Sequence, residues 1–327
     1  MSLLSVLPLG TSGPTTEITG TSTFSRWQYE LILYALVVAA LVLVASFVYA
    51  LATRSEVSKK YRTASMASAL ICGVAFLAYV VIIIQWFRGF SPNADSTSYH
   101  PRGGGVPITG LRYADWSVTV PLLTVELIAV CTVARSKAVW LRFSTMSAAF
   151  LMIVTGFLGV IAVGEHASST TELLIWGAIS TVFFLYLYPA LLAPVRKTLE
   201  TVSPETGTSL RNSAILLLSL WGVYPVVFLI PLWAGEHSAG WATTIQLSFT
   251  AADIAAKAGF GALVHKVAKL RTAEDAAEPA ASVPEGYPAE VYVSGHLLSL
   301  PARADGPAIQ LDGQSPVPAG RAGSSRR

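Results

Sequence analysis

Residues 27–51 read WQYELILYALVVAALVLVASFVYAL, and from Leu31 to Leu51 they contain no charged residue, no glycine and no proline. A helix needs about 20 apolar residues to cross the hydrocarbon core of a bilayer, so this stretch is long enough. Such continuous runs lack the alternating pattern of a membrane β-barrel. The sequence therefore predicts an all-α membrane protein, a seven-transmembrane-helix bundle with helices at about 27–51, 63–87, 111–134, 140–163, 173–194, 213–233 and 241–267.

The composition also favours a location in lipid. Of the 327 residues, 53% are hydrophobic and 13% are charged, whereas about 25% of the residues in an ordinary soluble domain are charged. A water-soluble globule is excluded, and we predict a multi-pass protein of the cell membrane. The net charge of +3 is too small to indicate a nucleic-acid partner. Because Cys72 and Cys131 lie in apolar runs, the sequence predicts neither a disulfide framework nor a metal site.

The basic residues of the connecting loops predict the orientation of the chain. The fourth and sixth loops contain no lysine or arginine. Cytoplasmic loops carry an excess of these residues, so we expect the odd-numbered loops inside, the N-terminus outside and the C-terminus inside. The residues that decide this lie in the first, third and fifth loops: Arg54, Lys59, Lys60, Arg62, Arg135, Lys137, Arg142, Arg196, Lys197 and Arg211.

The chain divides into three parts. Residues 1–26 lack the basic start and apolar core of a secretory signal, so we expect a polar extracellular arm. Residues 27–271 form the seven-helix domain. Residues 272–327 are rich in Ala, Pro, Gly, Ser and acidic residues, which predicts a disordered cytoplasmic tail. Within that tail, 289–299 has a weak strand-like character that the sequence leaves unassigned.

Ionisable residues lie inside two of the predicted helices. The third helix contains Arg112, Asp115 and Glu126, and the seventh contains Asp253 and Lys257. Each unpaired charge at the membrane centre costs about 2.5 to 3.5 kcal/mol, so these groups must face the interior and find partners or change protonation state. The two acids of the third helix are eleven positions apart, a step that returns to nearly the same face about 16 Å further along. The acid and the lysine of the seventh helix are four residues apart, so their side chains project the same way.

This pattern leaves several explanations open. Buried polar groups often hold helices together without a further function. However, a desolvated lysine near several carboxylates points towards function, because such a lysine forms Schiff bases with carbonyl compounds. The site therefore holds either a covalently attached carbonyl compound at Lys257 or an ion pair of a transporter, and periodicity does not choose between them.

Several stretches resemble the microbial (type 1) rhodopsins. The run RYADWSVTVPLL at 112–123 resembles their third helix, WGVYPVV at 221–227 their sixth, and DIAAKAGFG at 253–261 their retinal-binding seventh. The similarity extends to 155–156 in the fourth helix and 178–181 in the fifth, and it covers about Trp27 to Arg271.

This resemblance implies all-trans retinal bound to Lys257 as a Schiff base, with Asp115 and Asp253 as counterions. It also implies that Tyr79 and Tyr224 form hydrogen bonds with Asp253. Leu123 lies where green-absorbing members carry leucine, which implies absorption of green light. The implied retinal pocket consists of Trp116, Thr119, Leu123, Met152, Gly156, Ser180, Thr181, Trp221, Tyr224 and Pro225.

The residues Asp115, Thr119 and Glu126 resemble the Asp-Thr-Glu pattern of the proteorhodopsin and xanthorhodopsin group. The resemblance implies a light-driven outward proton pump rather than an enzyme. Asp115 would then be the proton acceptor, and Glu126 the proton donor on the cytoplasmic side. Arg112 would stabilise the charged Asp115 and help to eject a proton to the outside.

The chain departs from the family at one position of the second helix, and the resemblance implies two further properties. Proteorhodopsin-like pumps place a histidine on the second helix, where this chain has Ala78, and we place none of the five histidines in a transmembrane core. Gly177 implies a window for a carotenoid antenna, as in xanthorhodopsin-like proteins, although a small residue that eases helix packing explains it equally well. Members of the family form trimers or pentamers, which implies a homo-oligomer here.

Two other functions remain open at this point. A slow-cycling photosensor would use the same pocket and signal through a partner or through the C-terminal tail. A transporter without retinal would explain the ionisable groups but not the aromatic pattern. Glu126 favours the pump, because a cytoplasmic donor speeds return of a proton to the Schiff base.

Overall fold

The computed structural model describes residues 18–102, 108–165, 170–230, 238–277, 290–293 and 296–299. Within these ranges seven long helices pack side by side, so the predicted seven-helix bundle is confirmed. Helices α6 and α7 are each built from consecutive helical segments. The helices are α1 (Arg26–Ala52), α2 (Arg62–Gly89), α3 (Ile108–Ala129), α4 (Arg135–Glu165), α5 (Thr170–Leu199), α6 (Pro204–Trp221 and Val223–Phe228) and α7 (Ala239–Ile254, Ala255–Gly259 and Phe260–Ala277).

The outer faces of these helices are apolar. Large side chains such as Leu41, Leu77 and Val182 are more than 60% exposed. A water-soluble protein does not expose apolar surface on this scale, whereas lipid covers it without cost. By length and composition six of the helices can cross a membrane. The other, α3, carries three ionisable residues, and all three are buried in the bundle interior.

A small antiparallel sheet covers the end of the bundle where α2 ends and α3 begins. Its strands are β1 (Phe24–Ser25), β2 (Phe90–Pro92) and β3 (Ser98–Pro101), with β3 in the middle. Phe24 is fully buried, and its ring lies 5.3 Å from that of Trp86. Residues 18–26 are therefore part of the fold and not of a polar arm, while residues 1–17 lie outside the described residues.

The structure also corrects the boundary of the tail. The last segment of α7 continues to Ala277, because the Thr272 hydroxyl donates to the Ala268 carbonyl and accepts from the Ser58 amide. Two further strands, β4 (Glu290–Val293) and β5 (His296–Ser299), form an antiparallel hairpin. The structure therefore differs from the predicted disordered tail at residues 272–277, and the strand-like stretch that the sequence left unassigned contains this pair of strands. The other residues from 278 onwards lie outside the described part of the chain.

Two helices are irregular close to the middle of the bundle. Helix α6 is interrupted at Gly222, because Pro225 has no amide hydrogen and its ring crowds the carbonyl of Trp221, four residues earlier. Helix α7 widens to a π-helix at Ala255–Gly259, and this segment contains Lys257. Single π-helical turns inside α-helices are frequent at functional sites. Both irregularities border the same cavity, which is described next.

Candidate functional site

Lys257 lies at the centre of a buried charge cluster between α3 and α7. Its side chain is 1% exposed, and its Nζ donates to Asp115 Oδ2. The same nitrogen lies 3.4 Å from Asp253 Oδ1. The sequence predicts that these two acids flank the lysine, and the structure brings all three side chains together. A buried charge is tolerated only when it is paired and hydrogen-bonded, and this arrangement meets that condition.

Asp253 is the most heavily hydrogen-bonded group of the cluster. Its Oδ1 accepts from Trp116 Nε1 at 3.0 Å and from the Tyr224 hydroxyl at 2.9 Å. Its Oδ2 accepts from the Tyr79 hydroxyl at 2.9 Å. Both tyrosine hydrogen bonds expected from the sequence are present. These fixed donors hold the negative charge of Asp253 in place.

Arg112 contacts a different carboxylate from the one expected. Its guanidinium lies 3.4 Å from Asp253 Oδ2 and donates to Gln246 Oε1 and to the Thr250 hydroxyl, each at 2.9 Å. The expected contact with Asp115 is absent among the described hydrogen bonds and ion pairs. The reason is geometric, since the guanidinium lies against α7, where Gln246, Thr250 and Asp253 follow one another at helical spacing.

Asp115 therefore has spare hydrogen-bonding capacity. Its Oδ1 is buried and has no hydrogen-bond partner among the described residues. Thr119 does not fill this position, because its hydroxyl donates to the backbone carbonyl of Asp115. Within the described part of the chain, Lys257 alone bonds the Asp115 carboxylate, and it does so at Oδ2.

An apolar cavity extends from Lys257 between α3, α4, α5 and α6. It is lined mainly by aromatic and aliphatic side chains, and the amine and Asp253 lie in its wall. Such a slot fits a long apolar carbonyl compound that reacts with the amine. The lining residues are Tyr113, Trp116, Val120, Leu123, Met152, Ile153, Gly156, Gly177, Ser180, Thr181, Phe184, Trp221, Tyr224, Pro225, Phe228, Asp253, Ala256 and Lys257.

Most of the pocket residues expected from the sequence line this cavity. Thr119 and Tyr79 do not, although Tyr79 reaches the site through Asp253. Sequence reasoning missed Tyr113, Val120, Ile153, Phe184, Phe228 and Ala256. Helical spacing could have found some of these, because Tyr113 and Phe228 each lie three residues from a predicted pocket residue.

A second cavity lies between α1, α2 and α7 and has a volume of about 310 Å³. Glu126 lines it and is fully buried, and neither of its carboxyl oxygens has a hydrogen-bond partner among the described residues. His265 lines it as well and is 6% exposed. Our prediction that no histidine lies in a transmembrane core was therefore wrong for His265. Residue 265 falls inside the predicted seventh helix, so the signal was present in the sequence.

Comparisons with known proteins agree with this geometry. The family model of bacteriorhodopsin-like proteins matches residues 30–270. A green-light absorbing proteorhodopsin of a gamma-proteobacterium is 27% identical over 242 residues, which are 74% of this chain and 87% of the relative. The bacteriorhodopsin of Halobacterium salinarum is 27% identical over 214 residues, 65% of this chain and 74% of the relative.

Solved structures show the same similarity. The crystal structure of xanthorhodopsin, described as a light-driven ion pump with dual chromophore, has a TM-score of 0.71 and 33% sequence identity. That match covers 77% of this chain and 97% of xanthorhodopsin. A thermophilic rhodopsin has a TM-score of 0.70 at 28% identity, with 77% and 97% of the two chains covered.

The unequal bonding of the two carboxylates predicts unequal effects on stability. Asp253→Asn places an amide against several fixed donors and removes the ion-pair partner of Arg112. We expect this change to lower the free energy of unfolding by about 3 kcal/mol, which is the lower end of the range for breaking a buried ion pair. Asp115→Asn keeps an acceptor for Lys257, which Asp253 still neutralises. Thermal unfolding in detergent should give a clearly lower midpoint for Asp253→Asn, and equal midpoints would contradict the assignment.

Proposed function

We propose that this chain, which belongs to the family of bacteriorhodopsin-like proteins, is a light-driven outward proton pump that carries all-trans retinal on Lys257. One observation supports this most directly. The Lys257 amine lies in the wall of an aromatic cavity and is bonded to a carboxylate whose other oxygen has no partner among the residues that the structure describes. A site that binds a cofactor covalently and also releases a proton needs both features.

The residues of the cavity fit retinal. Trp116, Leu123, Trp221 and Tyr224 supply apolar walls for a polyene chain, and Ser180 supplies a polar atom away from the amine. Lys257 would hold retinal covalently, and the bound retinal would supply the absorption of visible light and a light-driven change of shape.

The protein side of the mechanism follows from the unequal bonding of the two acids. With the proton on the Lys257 nitrogen, the negative charges of Asp115 and Asp253 stabilise it there. When the nitrogen moves away from Asp115, that pairing is lost and the proton passes to Asp115. Asp253 does not compete for it, because its fixed donors and Arg112 stabilise its charged form.

Glu126 supplies the return proton from the other side. It is fully buried, and neither oxygen makes a hydrogen bond of normal geometry to a described residue, although the Ser68 hydroxyl lies beside it. An ionised form would therefore be very costly, and Glu126 holds a proton at rest. Asp115 and Glu126 are eleven positions apart, which separates them by about 16 Å along α3. With the basic loops facing the cytoplasm, Asp115 lies on the outer side and Glu126 on the inner side. Proton movement from Glu126 through Lys257 to Asp115 is then directed outwards.

Gly177 supports a second proposal, a carotenoid antenna beside the retinal site. Gly177 lines the cavity and is itself partly exposed, so no side chain of its own separates the cavity from the outer surface at this position. A methyl group at this position would lie 2.9 Å from Phe228 Cε1, which shows how little space a larger residue would have. The Phe228 ring would then form one face of the contact with a carotenoid ring.

The covalent attachment predicts the loss of colour in one variant. Lys257→Ala removes the amine, so the protein incubated with all-trans retinal should show no visible absorption band. Lys266→Ala is a matched control, since Lys266 lies on the same helix with its side chain 38% exposed, and it should keep the band. Persistent colour in Lys257→Ala would overturn the attachment site.

The pump predicts acidification of the medium in light. Illuminated, unbuffered cells that contain the protein should acidify their medium, and a protonophore should abolish the signal. Asp115→Asn should stop transport, because the acceptor is lost, while Asp95→Asn in an exposed loop should not change it. A coloured protein that acidifies nothing would contradict the pump and favour a photosensor.

The antenna predicts new bands in an excitation spectrum. Addition of a hydroxylated carotenoid should add carotenoid bands to the excitation spectrum of retinal emission. Gly177→Trp should remove these bands but leave the retinal band in place. If the native protein shows no energy transfer, the glycine serves only the packing of Phe228.

A further inference from the structure

We propose that the cavity between α1, α2 and α7 is the route by which protons from the cytoplasm reach Glu126, and that His265 relays them. The inference rests on the proposed role of Glu126 as the inner proton donor. It adds a residue and a route to that role, since a donor that gives up its proton must be reloaded in every cycle.

The cavity joins the two residues in question. Glu126 and His265 both line it, together with hydroxyl groups of α1 and α2. Its volume of about 310 Å³ is room for several water molecules, each of which takes roughly 30 Å³ in the liquid. Water in such a site needs polar partners, and these are available on every helix that borders it: Ser46, Tyr49, Ser65, Ser68, Glu126 and His265.

Glu126 lies directly against α7. A methyl group at Gly261 would lie 3.4 Å from Glu126 Oε1 and would collide with Ser68 Oγ. Only a glycine therefore lets the carboxyl group and the serine hydroxyl approach the helix here. Because Gly261 and His265 are four residues apart on α7, they share one face, with the histidine about 6 Å further towards the end of the helix.

His265 has the bonding expected of a relay and not of a structural group. Its Nδ1 lies 3.4 Å from Ser65 Oγ, which is a long contact, and its Nε2 is buried with no partner among the described residues. A buried nitrogen without a partner costs about 1 to 3 kcal/mol, so a purely structural histidine would be poorly placed. The ring can accept a proton at one nitrogen and release one from the other.

The groups that face His265 place it near the aqueous end of the cavity. Tyr49 of α1 lies edge-on at 5.6 Å between ring centroids. One turn further along α7, Lys269 is paired with Glu56, which follows α1 and keeps its side chain 37% exposed. Glu126 faces the ring across the cavity. The histidine therefore lies between a charged pair at the surface and the buried carboxyl group.

The proposed step is a balanced proton transfer. One proton enters from cytoplasmic water and binds a ring nitrogen of His265. A proton leaves the other nitrogen and passes through water or Ser68 to the Glu126 carboxylate, which becomes neutral. The imidazole ends neutral as it began, and no electrons are transferred.

Hydrogen exchange in the dark tests this route without light or transport. The full-length protein in liposomes is transferred to D₂O, and infrared spectroscopy follows the carbonyl band of protonated Glu126. The Glu126→Gln variant lacks this carboxyl group, so the band that disappears in the variant belongs to Glu126. His265→Leu should slow the shift of this band at least about tenfold, since a positioned acid–base group typically contributes 10²–10⁴. His100→Leu is the control, because His100 is exposed on β3, and its exchange should match that of the native protein.

Chemical rescue separates a relay from a structural role. In His265→Ala, imidazole added to the buffer should restore fast exchange, because it can enter the enlarged cavity. Three results would each overturn the relay. They are an unchanged exchange rate in both variants, a slow exchange rate that imidazole does not increase, and the absence of a Glu126 carbonyl band. Visible absorption shows that the variants are folded. If the exchange rate depends on His265 but cells with the native protein do not acidify their medium, the proposed pump function is wrong, whereas the proposed proton route to Glu126 is supported.

Discussion

The bond between the Lys257 amine and the Asp115 carboxylate is the interaction on which the rest of the site depends. An unpaired cation at this depth would cost about 2.5 to 3.5 kcal/mol even on insertion scales, so α7 can enter the bundle only with its lysine neutralised. Asp115 on α3 and Asp253 on α7 supply two negative charges, and Arg112 supplies the second positive charge. The four groups have no net charge together, and they fix α3 and α7 against each other.

Unequal bonding of the two acids gives this neutral cluster a direction. Asp253 is surrounded by fixed donors, whereas Asp115 has one bonded oxygen and one that no described residue contacts by a hydrogen bond. The formal charges of the two acids are the same, so their different roles come from their surroundings. An acid that must accept a proton needs an unoccupied position, while an acid that must keep its charge needs all positions filled. Two aspartates can therefore serve different proposed functions, with Asp115 as the proton acceptor and Asp253 as the lasting negative charge.

The parts of the structure that depend on spacing along one helix were predictable from the sequence. Apolar length indicated the helices, and the four-residue step from Asp253 to Lys257 indicated one shared face. The choice of partners across helices was not predictable in the same way. Arg112 bonds Asp253 and not Asp115, because its contacts are set by how α3 and α7 pack. The burial of Phe24 against Trp86 likewise depends on a contact between distant segments, which periodicity does not report.

The polar groups around Arg112 and those around Glu126 differ in how completely they are bonded. On the proposed outer side, Arg112 bonds Gln246, and Gln246 bonds Thr19 near the sheet, so the chain of hydrogen bonds is continuous. On the proposed inner side, Glu126 and His265 border a cavity and have unpaired buried atoms among the described residues. A saturated network keeps its protons in place, whereas groups with free positions beside a space large enough for water can exchange them. Asp253 is fully hydrogen-bonded and Asp115 is not, and the surroundings of Arg112 and of Glu126 differ in the same way. This difference favours proton entry from the inner side.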